Sequence, residues 1–294
     1  MDERRPAALK RLGAAFTAVL GLCVAALLAG CGTEETPPPE APRAAPQAPA
    51  VPWQAAVGEL DTGIQGVHCS AVLVARDLIV TASHCLFLAT SPRPASPTQI
   101  VFKPSQGMAF GTLPQSRGVR VMAMGAQIRS GHITQNDVPL DWALIQINPP
   151  VRAVQPIPVV SLTIDGMQAR IRAGARLVTL GYGDGAFDTQ VEHDECRLLS
   201  HQDLGFQPDD RWLPLSCWIR IGDSGGGVLL IDRNGRPQMI GIIAGFTTKA
   251  MKVPGPMAFG TNAGNFAPYV GMPMAQMALP PASLLAELSP PPQD

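Results

Sequence analysis

The sequence predicts an all-β fold, and three observations predict it. Between Pro52 and Met272, short apolar runs alternate with clusters of Gly, Pro, Asp and Asn, the pattern of strands bounded by turns in a barrel or sandwich. No stretch carries the spacing of a long amphipathic helix. An Asn-Gly pair, Asn234-Gly235, separates two of the runs. Asn-Gly is the strongest two-residue hairpin signal, because both turn positions favour positive φ.

In chain order the expected strands are Ala71–Val74, Leu78–Thr81, Ile100–Phe102, Val119–Met124, Trp142–Ile147, Ile157–Val160, Leu177–Leu180, Gly227–Ile231 and Met239–Ala244. The last two flank Asp232-Arg233-Asn234-Gly235-Arg236 and are read as a hairpin. A short helix is expected around Ser283–Leu288, ahead of a Pro-rich tail. There is no repeat of solenoid type.

The 294 residues suffice for a sizeable core, so disulfides would reinforce the fold without being its only support. Charged residues are 15% of the chain and the net charge is −1. Without an excess of Lys and Arg there is no electrostatic case for a nucleic-acid partner.

The first thirty residues read as an address. Arg4, Arg5, Lys10 and Arg11 precede an uncharged apolar run, Leu12 to Ala29, that ends in Leu28-Ala29-Gly30-Cys31. A basic start, an apolar stretch and a small-residue site describe a secretory signal over residues 1–30. The terminal tetrapeptide resembles the lipobox of bacterial lipoproteins. That resemblance implies lipidation of Cys31, loss of Cys23 with the signal, and a membrane partner held through the acyl chains. Several acyl chains anchor stably where one does so only marginally. Gly32 in place of Asp implies the outer membrane, facing periplasm or cell surface. Residues 31–51 follow as a tether, and Thr36 to Pro52 carries prolines at 37, 38, 39, 42, 46, 49 and 52. Pro-rich chain is extended and semi-rigid, at roughly 3 Å per residue.

Three patches carry chemistry. They are Thr81-Ala82-Ser83-His84-Cys85, Asp141-Trp142-Ala143-Leu144-Ile145 and Gly222-Asp223-Ser224-Gly225-Gly226. A serine hydroxyl becomes a useful nucleophile only when a base takes its proton, and histidine is the usual base. A carboxylate on the other ring nitrogen fixes the tautomer. Taken singly, His84 and Asp141 read as structural, whereas Gly222-Asp223-Ser224-Gly225-Gly226 is specific by itself. Asp137 competes with Asp141 for the carboxylate role, but only Asp141 leads an apolar run. His193-Asp194-Glu195 with His201 fits no metal motif and reads as a solvated loop.

Together and in this order, the patches resemble the chymotrypsin (trypsin-like) serine protease family. The resemblance implies Ser224 as nucleophile, His84 as general base and acid, and Asp141 as orienting carboxylate. It implies an oxyanion hole from the N–H groups of Gly222 and Ser224. The implied chemistry uses neither metal nor cofactor, and its substrate is a polypeptide. The implied fold is two six-stranded antiparallel β-barrels with the active site in the cleft between them. The barrels are expected at 52–155 and 156–275, with a short helix and Pro-rich tail over 276–294. By resemblance Cys69 pairs with Cys85 beside the histidine, and Cys196 with Cys217 in the second barrel.

The sequence departs from the family in three places. Upstream of Trp53 there is no Ile-Val-Gly-Gly-type tetrapeptide whose freed amine could pair with Asp223. Asp223 therefore needs another partner, and we expect activity without processing. The position six residues before Ser224, where trypsin's acidic determinant stands, holds Trp218. The strand Gly241-Ile242-Ile243-Ala244-Gly245-Phe246 carries no His of the kind glutamyl-specific relatives use. Trp218, Ala244, Gly245 and Phe246 are thus the expected specificity-pocket residues, with an apolar or small preferred side chain. Ala244 also lacks the hydroxyl that the family's usual Ser directs at the catalytic Asp. These departures support one alternative from another class: an inactive protease-fold module that binds protein or peptide.

Overall fold

Six antiparallel strands close the first barrel. They are β1 (Val57–Asp61), β2 (His68–Ala75), β3 (Leu78–Thr81), β4 (Val101–Pro104), β5 (Ser116–Met124) and β6 (Ala143–Asn148), in the order β1-β2-β3-β6-β5-β4. This computed structural model describes residues 51–64, 67–87, 94–104, 113–129, 133–134, 136–183, 191–193, 196–204, 210–247 and 257–270. Leu60, Leu73, Ile79, Phe102 and Ile145 fill the interior and are fully buried. β3 is buried at all four positions, as a strand covered on both faces must be, and it reads as a continuous apolar run.

The second half holds β7 (Arg176–Gly181), β8 (Val191–His193), β9 (Trp212–Leu215), β10 (Gly227–Ile231), β11 (Pro237–Thr247) and β12 (Met257–Asn262). Their order is β8-β7-β10-β11-β12-β9, antiparallel throughout. Leu213, Leu215, Val228, Ile240 and Ile243 form its core. Here the expectation of a second closed barrel is met only in part. Among the described residues the end strands β8 and β9 form no ladder with each other. A single bridge, Leu198 to Leu215, extends the β9 edge. The three residues of β8 offer little edge to pair.

Two elements differ from expectation. Ile157–Val160 is not a strand. Pro156 and Pro158 lack backbone donors, and the segment makes only one parallel bridge, Val159 to Met239. In compensation the connection carries a helix, α1 (Ile164–Arg172). The Thr163 side chain caps it by accepting from Gly166 N at 3.2 Å. Asp165 in its first turn and Arg170 and Arg172 in its last suit the helix dipole. The hairpin at Asn234-Gly235 forms, with a longer turn than a two-residue one. Ile231 pairs with Pro237, and Gly235 N donates to Asp232 O at 3.0 Å.

Cys31, the signal, the tether and the helix expected at Ser283–Leu288 lie outside the described residues. Among the described residues no helix is long and apolar enough to cross a membrane.

Candidate active site

His84 sits in a short 3-10 turn, Ser83–Leu86, that follows β3 directly. Asp141 precedes β6, and β3 pairs with β6 at Thr81 and Ala143. Two neighbouring strands thus bring residues 57 apart in sequence to one place. His84 Nδ1 lies 2.7 Å from Asp141 Oδ2. Asp141 Oδ1 accepts from His84 N at 2.9 Å and from Ser83 Oγ at 3.0 Å. The carboxylate is fully buried, and three donors offset its lost hydration. Asp137 does something else. Its Oδ2 accepts from Thr134 N and Oγ1 at 2.8 and 2.7 Å, closing a local exposed turn.

Ser83 was not legible as a site residue. Its hydroxyl gives Asp141 a bond that the methyl group of Ala244 has no hydroxyl to offer. Ala244 is buried against Trp212 and Val138. Thr261, one strand over, donates from Oγ1 to Val138 O at 2.5 Å, with Asp141 O 3.2 Å away, and so ties β12 to the turn before β6.

Ser224 is half-buried in a turn between β9 and β10. The turn is pressed onto the first barrel. Ser70 N on β2 donates to Ser224 O at 2.7 Å, and Gly225 N donates to Ile243 O at 2.7 Å. Gly225 has φ +82°, and a Cβ there would run into Ser70 O and Thr81 Oγ1. Only glycine fits that approach. The disulfide sulfur of Cys85 lies 3.9 Å from His84 Nε2 and 3.8 Å from Ser224 O. One sulfur therefore touches both the free side of the imidazole and the Ser224 turn.

Gly222 has φ +106°, a conformation that suits glycine. In this turn the N–H groups of Asp223, Gly225 and Gly226 donate to Arg220 O, Ile243 O and Asp223 O. Among the described residues, those of Gly222 and Ser224 make no hydrogen bond. Two unused N–H groups, two residues apart and one of them on the serine itself, can receive an oxyanion.

Asp223 is fully buried. Its Oδ2 accepts from Arg220 N at 2.7 Å. The partner that the sequence left open includes the backbone of its own turn. Both expected disulfides are present, Cys69–Cys85 and Cys196–Cys217, spanning 16 and 21 residues. Cys69, His84 and Cys85 lie close enough to hold a metal, but both sulfurs are committed to the disulfide.

The chain matches the trypsin-like peptidase domain over residues 69–242. It belongs to that family. The match reaches into both halves of the fold and includes His84, Asp141 and Ser224. No curated protein matches the sequence. Among solved structures, the chain is similar to a Glu endopeptidase in complex with MPD. The TM-score is 0.53 with 14% identity, over 77% of this chain and 93% of that one. At that identity the likeness speaks for the fold.

The expected pocket residues differ in burial. Trp218 is 66% exposed. Ile221, beside Gly222, is 75% exposed. Ala244 is buried and Gly245 half-buried on β11, and the Phe246 side chain lies outside the described set.

Proposed function

We propose that the chain is a serine endopeptidase that hydrolyses peptide bonds through an acyl-enzyme and is anchored to a bacterial membrane by lipid on Cys31. One observation carries the catalytic part: an imidazole oriented by a buried carboxylate shares a sulfur contact with a serine turn whose two N–H groups are unused. Ser224 Oγ attacks the carbonyl carbon as its proton passes to His84 Nε2. The N–H groups of Gly222 and Ser224 receive the oxyanion, and losing one such donor costs about 3–4 kcal/mol. Asp141 stabilises the imidazolium. His84 then protonates the leaving amine and the C–N bond breaks. Water, deprotonated by His84, attacks the ester, releases the carboxylate and restores Ser224.

The reading favours an apolar or small side chain at the cleaved bond. The trypsin determinant's place holds Trp218, and β11 bears no histidine, so neither basic nor glutamyl specificity is supported. The anchor rests on Leu28-Ala29-Gly30-Cys31 alone. An outer-membrane site facing the periplasm or cell surface, where disulfides persist, follows from that anchor and Gly32. The test is hydrolysis of casein by the mature protein, with Ser224→Ala as control. Ser224-dependent cleavage is expected. Its absence would leave the inactive binding module as the better reading.

A further inference from the structure

The oxyanion turn has a residue behind it whose hydroxyl the catalytic steps never use. Ser70 lies on β2 in the first barrel and is fully buried. Its Oγ accepts from Tyr182 N at 2.8 Å. It lies 2.8 Å from Gly222 O. A hydroxyl has one proton. The amide hydrogen of Tyr182 fills the acceptor side, so that proton is donated to Gly222 O. The main chain of the same residue grips the turn a second time, Ser70 N donating to Ser224 O at 2.7 Å. Ser70 is itself held from β3, with Thr81 Oγ1 donating to Ser70 O at 2.7 Å.

The two carbonyls that Ser70 holds belong to Gly222 and Ser224, the two residues whose N–H groups are unused among the described residues. Between them, Asp223 is fixed within the turn. Its N–H donates to Arg220 O at 3.1 Å and its carbonyl accepts from Gly226 N at 2.8 Å. Its carboxylate accepts from Arg220 N at 2.7 Å. Gly222 is the residue most in need of a tether. At φ +106° and without a Cβ, it pays little to rotate into another conformation.

We propose that Ser70 is a positioning residue, a latch that reaches from the first barrel to the Gly222 carbonyl and holds the oxyanion N–H groups in place. The inference rests on the peptidase reading above. It assigns to a buried hydroxyl the task of keeping the second half's nucleophile turn in register with the histidine's barrel. Removing the hydroxyl leaves Tyr182 N–H and Gly222 C=O buried without this partner, and such groups then favour rearrangement.

The test compares two matched pairs in the mature chain. Ser70 against Ser70→Ala, and Ser70→Thr against Ser70→Val, each change the hydroxyl at nearly constant volume. The readouts are kcat, KM and the affinity of a peptide boronic acid, which mimics the tetrahedral intermediate. In each pair, loss of the hydroxyl is expected to lower kcat and boronate affinity together, by roughly 10- to 100-fold. That is less than deleting an oxyanion donor outright. KM should change less than about threefold, because the ground state makes little use of the hole. A merely structural role would lower the melting temperature and leave kcat and boronate affinity of the folded fraction unchanged. Equal kcat within twofold in both pairs overturns the latch. The Gly222 amide resonance in glycine-labelled protein gives a reading independent of hydrolysis. It should shift or broaden in Ser70→Ala, and an unmoved resonance also overturns the latch. If the parent protein hydrolyses nothing, the peptidase reading fails, and the resonance still decides the role of Ser70.

Discussion

Replacing Ser83 by Ala should slow hydrolysis without unfolding the protein. The buried Asp141 carboxylate receives three hydrogen bonds, from Ser83 Oγ at 3.0 Å, His84 N at 2.9 Å and His84 Nδ1 at 2.7 Å. The substitution removes one of them from a fully buried charge. A hydrogen bond to a charged group is worth about 1.5–3 kcal/mol net. If that stabilisation is drawn on when the imidazolium forms, the loss converts to about a 10- to 150-fold fall in kcat/KM. The assay is steady-state hydrolysis of a chromogenic peptide ester by Ser83→Ala, beside the double variant Ser83→Ala/Ala244→Ser. The second change offers a hydroxyl from the position the family normally uses, and part of the lost rate should return. A rate within twofold of the parent in Ser83→Ala would refute the claim that this hydroxyl supports the carboxylate.

Other consequences can be checked more briefly. Gly225→Ala forces a Cβ into Ser70 O and Thr81 Oγ1 at φ +82°, so thermal melting should show a loss of about 3 kcal/mol or more, with catalysis abolished. Replacing Cys196 and Cys217 together by Ser opens a link spanning 21 residues and should cost about 3 kcal/mol in a denaturant titration run without reductant. Backbone N–H groups of Arg236 and Asn234 hold the Asp232 carboxyl below its ordinary value of 3.8. Because the folded-state value is depressed, the hairpin contribution is present above the unfolded value and is lost as pH falls through the folded one. An NMR titration should show Asp232 protonating below 3.8, and a midpoint at or above that value contradicts the turn geometry. Cys31→Ser should move the protein from the membrane to the soluble fraction, and unchanged fractionation would dispose of the lipid anchor.

Where strands are apolar throughout, the sequence shows them. Leu78–Thr81 and Gly227–Ile231 coincide with β3 and β10 at both ends. Four strands escaped for local reasons. β1 carries Gly58, Glu59 and Asp61 in five residues, which leaves no apolar run to read. β9 contains Pro214, a residue that demotes a run to an edge strand, and β9 does stand at the sheet's edge. β8 is three residues long. β12 is interrupted by Gly260, where a Cβ would press on Ile242 O. The helix α1 had readable signals in Thr163, Asp165 and the arginines of its last turn, but nine residues give a weak period. At the site, His84, Asp141 and Ser224 were legible because their neighbours form motifs. Ser70 and Ser83 were not, because their roles depend on partners 152 and 58 residues away. No local pattern encodes such distances.

The central claim is that Ser224 is a nucleophile activated by His84 and Asp141. Its most direct test is labelling of the mature protein with a fluorophosphonate, read by mass spectrometry of the peptide that contains Ser224. The account predicts one phosphonyl adduct on Ser224 in the parent, and none in Ser224→Ala or His84→Ala. An unlabelled parent, or an adduct that survives in His84→Ala at the parental rate, would contradict it.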